Sequence, residues 1–276
     1  MAAETIAHIF GADLESGSPG PHWIMTNVFG YGRGLKDDHI RRDWAVGSRR
    51  RQFVQLAEML YHFQVVPGVQ RIRETLQNDT IESAIAELEA AKYLYRAGLN
   101  FRFVTPIGTK GADFDAQVAT TGLDINCELK CKLEETELSE GTVIDTLQKA
   151  SSQLPKNKPN AIFLKLPERW ILQPEIAIMV PRAVRRFYGQ SHRIAVIAFH
   201  WQQHIELGEN QSAHVMKVRS ETNPKSAFCD FVNSEMIDKI ERSPVYDSRS
   251  ALPFEPLRPW KYFHEIANEI ATSQGQ

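Results

Sequence analysis

The amino-acid sequence predicts an α/β fold, in which a mixed sheet is flanked by helices, with a mainly helical N-terminal extension. Two observations lead to this prediction. Apolar residues recur at helical spacing up to Gly98, and from there to residue 132 they alternate with polar residues as they do in β-strands. Beyond residue 132, predicted helices and short apolar strands follow one another, which is the element order of an α/β protein.

The N-terminal part of the chain predicts mostly helix. Turn-forming residues at 16–21 indicate a loop, whereas a continuous apolar face predicts a helix over 52–64. Pro67 and Gly68 interrupt this pattern, and a short helix is predicted over 71–76. We therefore expect a helical extension ahead of the sheet.

The predicted core opens with a strong helix and continues with a three-stranded meander. Asp79 or Thr80 caps the helix at its start, and Gly98 stands where a glycine commonly ends one. Alternating apolar residues predict strands over 101–104, 112–119 and 124–132.

The rest of the chain alternates between helix and strand. The predicted elements are a helix over 141–153, a strand over 161–166, a helix over 174–188, a strand over 193–203 and an edge strand over 213–219. A proline-rich loop and a helix from about Trp260 are predicted for the tail. We expect three parts: an extension over 1–78 for binding substrate or a partner, a core over 79–220, and a C-terminal loop and helix over 221–276 that pack on the core.

Composition and charge limit the function classes. A chain of 276 residues is long enough for a sizeable core, and its formal net charge of −2 creates no overall basic field that would indicate nucleic-acid binding, although a local basic patch can suffice. The apolar runs are too short for a membrane helix, and the first residues lack the pattern of a secretory signal. Sparse cysteines favour reduced thiols. We therefore expect a cytoplasmic protein that does not span a membrane.

Strand alternation gathers charged side chains on two neighbouring predicted strands. Glu128 and Lys130 share the polar face of the strand over 124–132, and Asp115 lies on the polar face of the strand before it. Two carboxylates can bind a hard cation such as Mg²⁺ through oxygen, and a lysine beside them can offset charge that develops on a phosphate. The pattern predicts a metal-assisted phosphodiesterase site. A cross-strand ladder of ion pairs among the same residues is the alternative.

The helix that precedes these strands supplies a fourth charged candidate. Glu87 interrupts an apolar stripe of this helix, so its carboxylate must pair with a cation or ligate one, because an unpaired buried charge is costly. Glu89 aligns with the polar face instead, and we expect it to pair there with Lys92 and Arg96. Glu87 is therefore the better candidate for the site.

These residues carry a resemblance to a known family. The stretch Gly111-Ala-Asp-Phe-Asp115, followed after twelve residues by Glu128-Leu-Lys130, resembles the PD-(D/E)XK nuclease superfamily, which includes restriction endonucleases and archaeal Holliday-junction resolvases. The helix from Glu87 to Gly98 resembles the first core helix of that superfamily with its glutamate. No proline precedes the aspartate here, which is a common variation. The resemblance covers roughly residues 80–166.

The resemblance implies a restriction-endonuclease-like core and a metal-dependent nuclease activity. Carried over to this chain, the family pattern implies that Asp115 and Glu128 hold Mg²⁺, or Mn²⁺ in its place, with the backbone carbonyl of Leu129. Lys130 would be the catalytic lysine. Glu87 would be an accessory metal ligand or act indirectly. The implied function is an endonuclease, a hydrolase of phosphodiester bonds in DNA rather than RNA, with a role in defence, restriction or repair. A homodimer is common where both strands are cut. A nuclease fold without catalysis that binds nucleic acid or a protein is the alternative.

Two further groups of residues are weaker candidates. The stretch from Gly30 to Thr75 holds nine Lys and Arg against five Asp and Glu, an excess that suits a surface for nucleic-acid phosphates. The arginines in question are Arg41, Arg42, Arg49, Arg50 and Arg51. A solvated helix start is the alternative for them. Asp113, which competes with Asp115 for the same role, and Gln153 on the following helix are candidate accessory residues.

Overall fold

The fold is visible in the part of the chain that the structure describes. The computed structural model describes residue 56 and residues 59–78, 81–109, 111–133, 135–208 and 211–243. The chain divides into two compact units, Val66–Glu255 and a second unit made of Met1–Val65 with Pro256–Gln276. In the second unit, residues 59–63 are helical. The predicted arginine cluster and the predicted tail helix lie outside the described residues, and the predicted domain boundaries stay a prediction.

The unit Val66–Glu255 is built on a six-stranded sheet in the order β1-β2-β3-β4-β5-β6. Its strands are β1 (Phe101–Phe103), β2 (Ala116–Val118), β3 (Ile125–Cys131), β4 (Asn160–Lys165), β5 (Val196–Gly208) and β6 (Gln211–Thr222). The pairs β3–β4 and β4–β5 are parallel, and the other neighbours are antiparallel. The predicted α/β class with a mixed sheet is confirmed.

Helices flank this sheet. They are α1 (Val69–Asn78), α2 (Ile81–Arg96), α3 (Glu140–Gln153), α4 (Glu168–Ile171), α5 (Ile176–Gln190), α6 (Cys229–Val232) and α7 (Asp238–Arg242), with a π-helical turn at Asn233–Ile237. No helix in the described ranges is both long and apolar enough to cross a membrane.

Gly98 ends helix α2 as predicted. Its φ angle is 68°, in the left-handed region that favours glycine. The backbone N–H of Gly98 donates to the carbonyl of Tyr95 (3.0 Å), and that of Leu99 donates to the carbonyl of Leu94 (3.1 Å). These two bonds form a Schellman motif, which satisfies carbonyls at the helix end and turns the chain toward β1.

Helix α3 forms the centre of one apolar core. Ser139 caps it by accepting a hydrogen bond from the backbone N–H of Thr142 (3.0 Å). Val143, Leu147 and Ala150 recur at helical spacing and are buried in one cluster with apolar residues of α5, β4 and β5. This core packs against the parallel strands β4 and β5, and β4 is the neighbour of β3 in the sheet.

The predicted strand over 112–119 is shorter than expected. Only Ala116–Val118 form strand β2, because Asp113 organises the preceding loop instead. Its Oδ1 accepts the backbone N–H groups of Ile107 (2.7 Å) and Gly108 (3.1 Å), and such local bonds compete with a strand ladder. Asp115 therefore lies immediately before β2.

The loop before helix α1 rests on strand β1. Gly68 has a φ of +80°, and a Cβ at this position would lie 2.1 Å from the carbonyl oxygen of Phe103. The backbone N–H of Phe103 donates to the carbonyl of Pro67 (2.9 Å). Only glycine suits both the conformation and the contact. The loop thus fixes where α1 begins, and with it the position of Arg71 near the start of that helix.

The predicted edge strand over 213–219 is confirmed as part of β6, which pairs antiparallel with β5 along its length. β6 is the last strand of the sheet.

Candidate active site

The register of the sheet brings Asp115 beside Glu128. Ala116 is paired with Cys127 across the antiparallel strands β2 and β3, and one step further along this register Asp115 is opposite Glu128. Asp115 Oδ2 accepts the backbone N–H of Leu129 (2.8 Å), which fixes the carboxylate against β3. Two carboxylates that are thirteen residues apart in sequence are thus neighbours on adjacent strands.

Glu128 and Lys130 form an ion pair along one strand. Lys130 Nζ contacts Glu128 Oε1, as expected for residues two apart on the same face of a strand. The Glu128 side chain is fully buried, whereas the Lys130 side chain keeps 30% of its surface exposed. The Lys130 side chain, paired with a buried carboxylate, is thus partly open to solvent.

Arg71 is a member of this cluster that the sequence did not single out. Its guanidinium forms an ion pair with Glu87 Oε2 and donates to the backbone carbonyl of Asp115 (3.2 Å). Its second terminal nitrogen lies 3.7 Å from Asp115 Oδ1, and its side chain is only 8% exposed. The guanidinium also lies 5.9 Å from the centre of the Phe103 ring. Glu87 is thus buried and paired, one of the two outcomes its place on an apolar stripe predicted.

The reason Arg71 was missed is that its partners come from other elements. The short helix over 71–76 was predicted, and Glu87 was expected to need a cation. Arg71 and Arg73 both precede it at similar distances in sequence, so nothing in the sequence selects one of them. In the structure, Arg71 of α1 contacts both Glu87 and Asp115.

Burial and mutual repulsion shift the ionisation of the cluster. Burial raises the pKa of Glu87 to about 7, repulsion from Asp115 adds to the rise, and Arg71 opposes it. Burial likewise raises the pKa of Glu128 to about 8, with repulsion from Asp115 adding and Lys130 opposing. Burial lowers the pKa of Lys130, but the Asp115 and Glu128 carboxylates outweigh it, so this pKa lies above its ordinary value. The lysine keeps its proton at neutral pH, while both glutamates would ionise more readily beside an added positive charge.

The oxygen donors of the cluster suit a hard divalent cation. Glu128 Oε2 is buried and accepts no hydrogen bond from the part of the chain that the structure describes. A buried carboxylate oxygen in this state is costly, and a cation bound to it would remove that cost. The described ranges hold no group of three or more His, Cys, Asp or Glu side chains arranged to hold a metal ion. A Mg²⁺ at Asp115 and Glu128 would therefore take its remaining ligands from the backbone, from water and from substrate oxygens.

The other predicted site residues have defined places. Leu129 donates its N–H to Asp115, while the predicted role of its carbonyl stays a prediction. Asp113 N–H donates to the carbonyl of Gln153 (3.2 Å), and the Gln153 side chain is 3.5 Å from the carbonyl of Asp113. These contacts tie the end of α3 to the loop before β2. The accessory roles of both residues in catalysis stay predictions.

Glu89 was expected to pair with Lys92 and Arg96 on the polar face of its helix, but that face is not exposed at Glu89. Glu89 is only 3% exposed. Its Oε2 pairs with Lys165 Nζ (2.9 Å), and its Oε1 accepts the side-chain amide of Gln202 (2.6 Å). These partners come from β4 and β5, which a helical pattern cannot reveal. Glu89 thus joins α2 to the sheet at a place separate from Arg71.

Two surface cavities lie away from the charged cluster. One has a volume of about 310 Å³ and the other about 520 Å³, and both are lined by Ser152 and Arg193. Neither is lined by Asp115, Glu128 or Lys130. The cluster is the better candidate site, because the Arg193 guanidinium in the cavities already donates to the carbonyls of Ser151 and Leu154.

Comparison with known proteins adds no family. No protein-family model, curated protein or solved structure matches the chain.

Proposed function

We propose that the chain is a metal-dependent nuclease with a restriction-endonuclease-like core, which hydrolyses phosphodiester bonds in DNA. The observation that carries this proposal is the juxtaposition of Asp115 and Glu128 on adjacent strands, with Lys130 paired to Glu128 and reaching solvent. The element order around these residues, a helix, a three-stranded meander, a helix and a strand, supports the same reading.

Each residue of the cluster has a chemical task in this reaction. Asp115 and Glu128 would hold Mg²⁺, with the Leu129 carbonyl assisting. When bound, the metal supplies positive charge at the phosphorus centre and acidifies a water. Lys130 stays protonated and is partly exposed, so its ammonium can approach a phosphate oxygen and offset the charge that develops there. Hydrolysis adds water across one P–O bond, and the family resemblance favours a 5′-phosphate product.

The experiment that tests this function is cleavage of a mixed nucleic-acid panel. Duplex, single-stranded and branched DNA and RNA are incubated with the protein and Mg²⁺ or Mn²⁺. We expect the wild-type protein to cut DNA, and Asp115→Ala and Lys130→Ala each to lower the rate by about 10²-fold or more, because each removes charge that stabilises the transition state.

Matched controls separate the loss of chemistry from a change of overall charge. Asp124 is exposed in the turn between β2 and β3, and Lys158 is exposed in the loop before β4. Asp124→Ala and Lys158→Ala should cut at nearly the wild-type rate. The nuclease assignment is wrong if the folded wild-type protein cuts nothing on the panel with either metal, or if all four variants cut equally well.

A nuclease fold that binds without cutting is the second candidate. It is favoured by one observation: Lys130 and Arg71 already neutralise Glu128 and Glu87 within the protein. In that case the panel would be bound, as measured by fluorescence anisotropy, but would remain uncut. A homodimer is compatible with either candidate, and its test is the mass in solution by light scattering.

A further inference from the structure

Arg71 is the most unusual feature of the cluster. It is buried, yet its charge is permanent, because a guanidinium does not lose its proton in proteins. Its group lies between two carboxylates, with one terminal nitrogen on Glu87 and on the backbone carbonyl of Asp115, and the other 3.7 Å from Asp115 Oδ1. The Phe103 ring lies 5.9 Å from the same guanidinium. These contacts come from three elements, so the position of the charge is fixed.

When all five charged groups of the cluster are ionised, one negative charge is in excess. Glu87, Asp115 and Glu128 face Arg71 and Lys130, so three carboxylates meet two cations. In this ionised state the excess charge lies on the Asp115–Glu128 side, where Glu128 Oε2 accepts no hydrogen bond from the described chain. Glu87 Oε2, by contrast, is engaged by Arg71. One divalent cation suits the Asp115–Glu128 side of the cluster. At Glu87 the place of a cation is already taken by the Arg71 guanidinium.

We propose that Arg71 takes the place of a second metal ion, so that the site binds one divalent cation per chain and Glu87 is a partner of Arg71 rather than a metal ligand. This inference rests on the proposed function and specifies the metal stoichiometry of its site. Arg71 acts here as a positioning residue, because it holds Glu87 and the backbone of Asp115.

The test is the number of Mn²⁺ ions bound per chain, measured by isothermal titration calorimetry and equilibrium dialysis of the full chain. We expect one ion for the wild type. Arg71→Met removes the fixed charge while keeping a long apolar side chain, and we expect it to bind two ions, because Glu87 and Asp115 then lack a cation between them. The double variant Arg71→Met with Glu87→Gln removes the freed carboxylate as well and should return to one ion. Circular dichroism with and without Mn²⁺ reports whether each variant is folded.

Glu87→Gln alone provides a test that does not depend on the folding of Arg71→Met. If Arg71 is the partner of Glu87, this variant should still bind one Mn²⁺, with an affinity within about tenfold of the wild type. A loss of binding in Glu87→Gln, two ions in the wild type, or one ion in folded Arg71→Met would each overturn the role of Arg71. Absence of Mn²⁺ binding in the wild type would instead overturn the proposed function.

Discussion

At the scale of single residues, Glu128 shows how burial creates a demand for a cation. Its carboxylate has no exposed surface, yet it stands opposite Asp115 and has one lysine as its ion-pair partner. Burial and the repulsion from Asp115 raise its pKa to about 8. A carboxylate in this state costs stability when ionised without a metal, and regains it when a cation binds. The same side chain thereby links the ionisation of the protein to its proposed chemistry.

This linkage gives a prediction for the stability of Glu128→Gln as a function of pH. The pKa of Glu128 in the folded protein is higher than its value of 4.5 in an unfolded chain, so the folded state holds the proton more tightly. The wild type without divalent metal should therefore lose free energy of unfolding as the pH rises from about 4.5 to about 8. Glutamine carries no charge to bury. The charged Lys130 side chain is partly exposed, so water can solvate it when residue 128 is neutral. We expect the stability of the variant relative to the wild type to increase over this range by about 1 kcal/mol or more.

Urea unfolding in the presence of a chelator, at several pH values from 4.5 to 9, measures this difference. Glu135→Gln is the control, because Glu135 is exposed and should leave the pH dependence unchanged. An identical pH dependence in the wild type and in Glu128→Gln would mean that Glu128 is not the residue whose burial is linked to stability.

At the scale of secondary-structure elements, the cluster depends on how α1 is set against the sheet. The loop at Gly68 leads directly into α1. A Cβ at Gly68 would lie 2.1 Å from the carbonyl oxygen of Phe103, and the backbone φ of +80° would be strained for any other residue. We expect Gly68→Ala to lower the free energy of unfolding by about 2 kcal/mol or more, because strain and overlap add. Gly98→Ala is the matched control: its φ is +68°, but the added Cβ has no neighbour within 4 Å. It should cost about 1 kcal/mol.

Chemical denaturation of both glycine variants compares the two costs. A Gly68→Ala protein no less stable than Gly98→Ala would mean that the loop can move away from β1 without loss. In that case α1 would not hold Arg71 in a fixed position.

The elements also show which parts of the fold can be predicted from sequence. Helix α2 with its glycine end, the meander and the edge strand are encoded locally, by spacing, capping and alternation, and they were predicted. The placement of Glu128 and Lys130 on one face of β3 also follows from alternation along that strand, and their ion pair joins residues only two apart in sequence. The loop at Asp113 depends on side-chain hydrogen bonds that alternation does not show. The burial of Glu89 and the role of Arg71 depend on partners distant in sequence. Periodicity within one element contains no information about such partners, so these features were missed.

At the scale of the whole sheet, the cluster lies where the strand pairing changes direction. β3 is antiparallel to β2 on one side and parallel to β4 on the other. Asp115 reaches β3 from the antiparallel side through the loop before β2, while α3 and α5 cover the parallel strands and exclude water from their core. In the described part of the chain, no residue of β3 belongs to that apolar core. The Lys130 side chain accordingly keeps 30% of its surface exposed at this place.

The same organisation predicts that divalent metal stabilises the whole protein through this one site. If Asp115 and Glu128 bind the ion, Mn²⁺ at one hundred times its dissociation constant should add about 2.7 kcal/mol to the free energy of unfolding. At one fixed Mn²⁺ concentration, the increase should be larger at pH 8 than at pH 5.5, because metal binding competes with protonation of Glu128, whose pKa is raised to about 8. Thermal unfolding followed by circular dichroism, at matched ionic strength, measures the shift. Asp115→Asn should abolish the shift, and Asp124→Asn, at an exposed position of the same meander, should retain it. Equal stabilisation of both variants would show that Mn²⁺ binds elsewhere, and no stabilisation of the wild type would leave the cluster as a ladder of ion pairs.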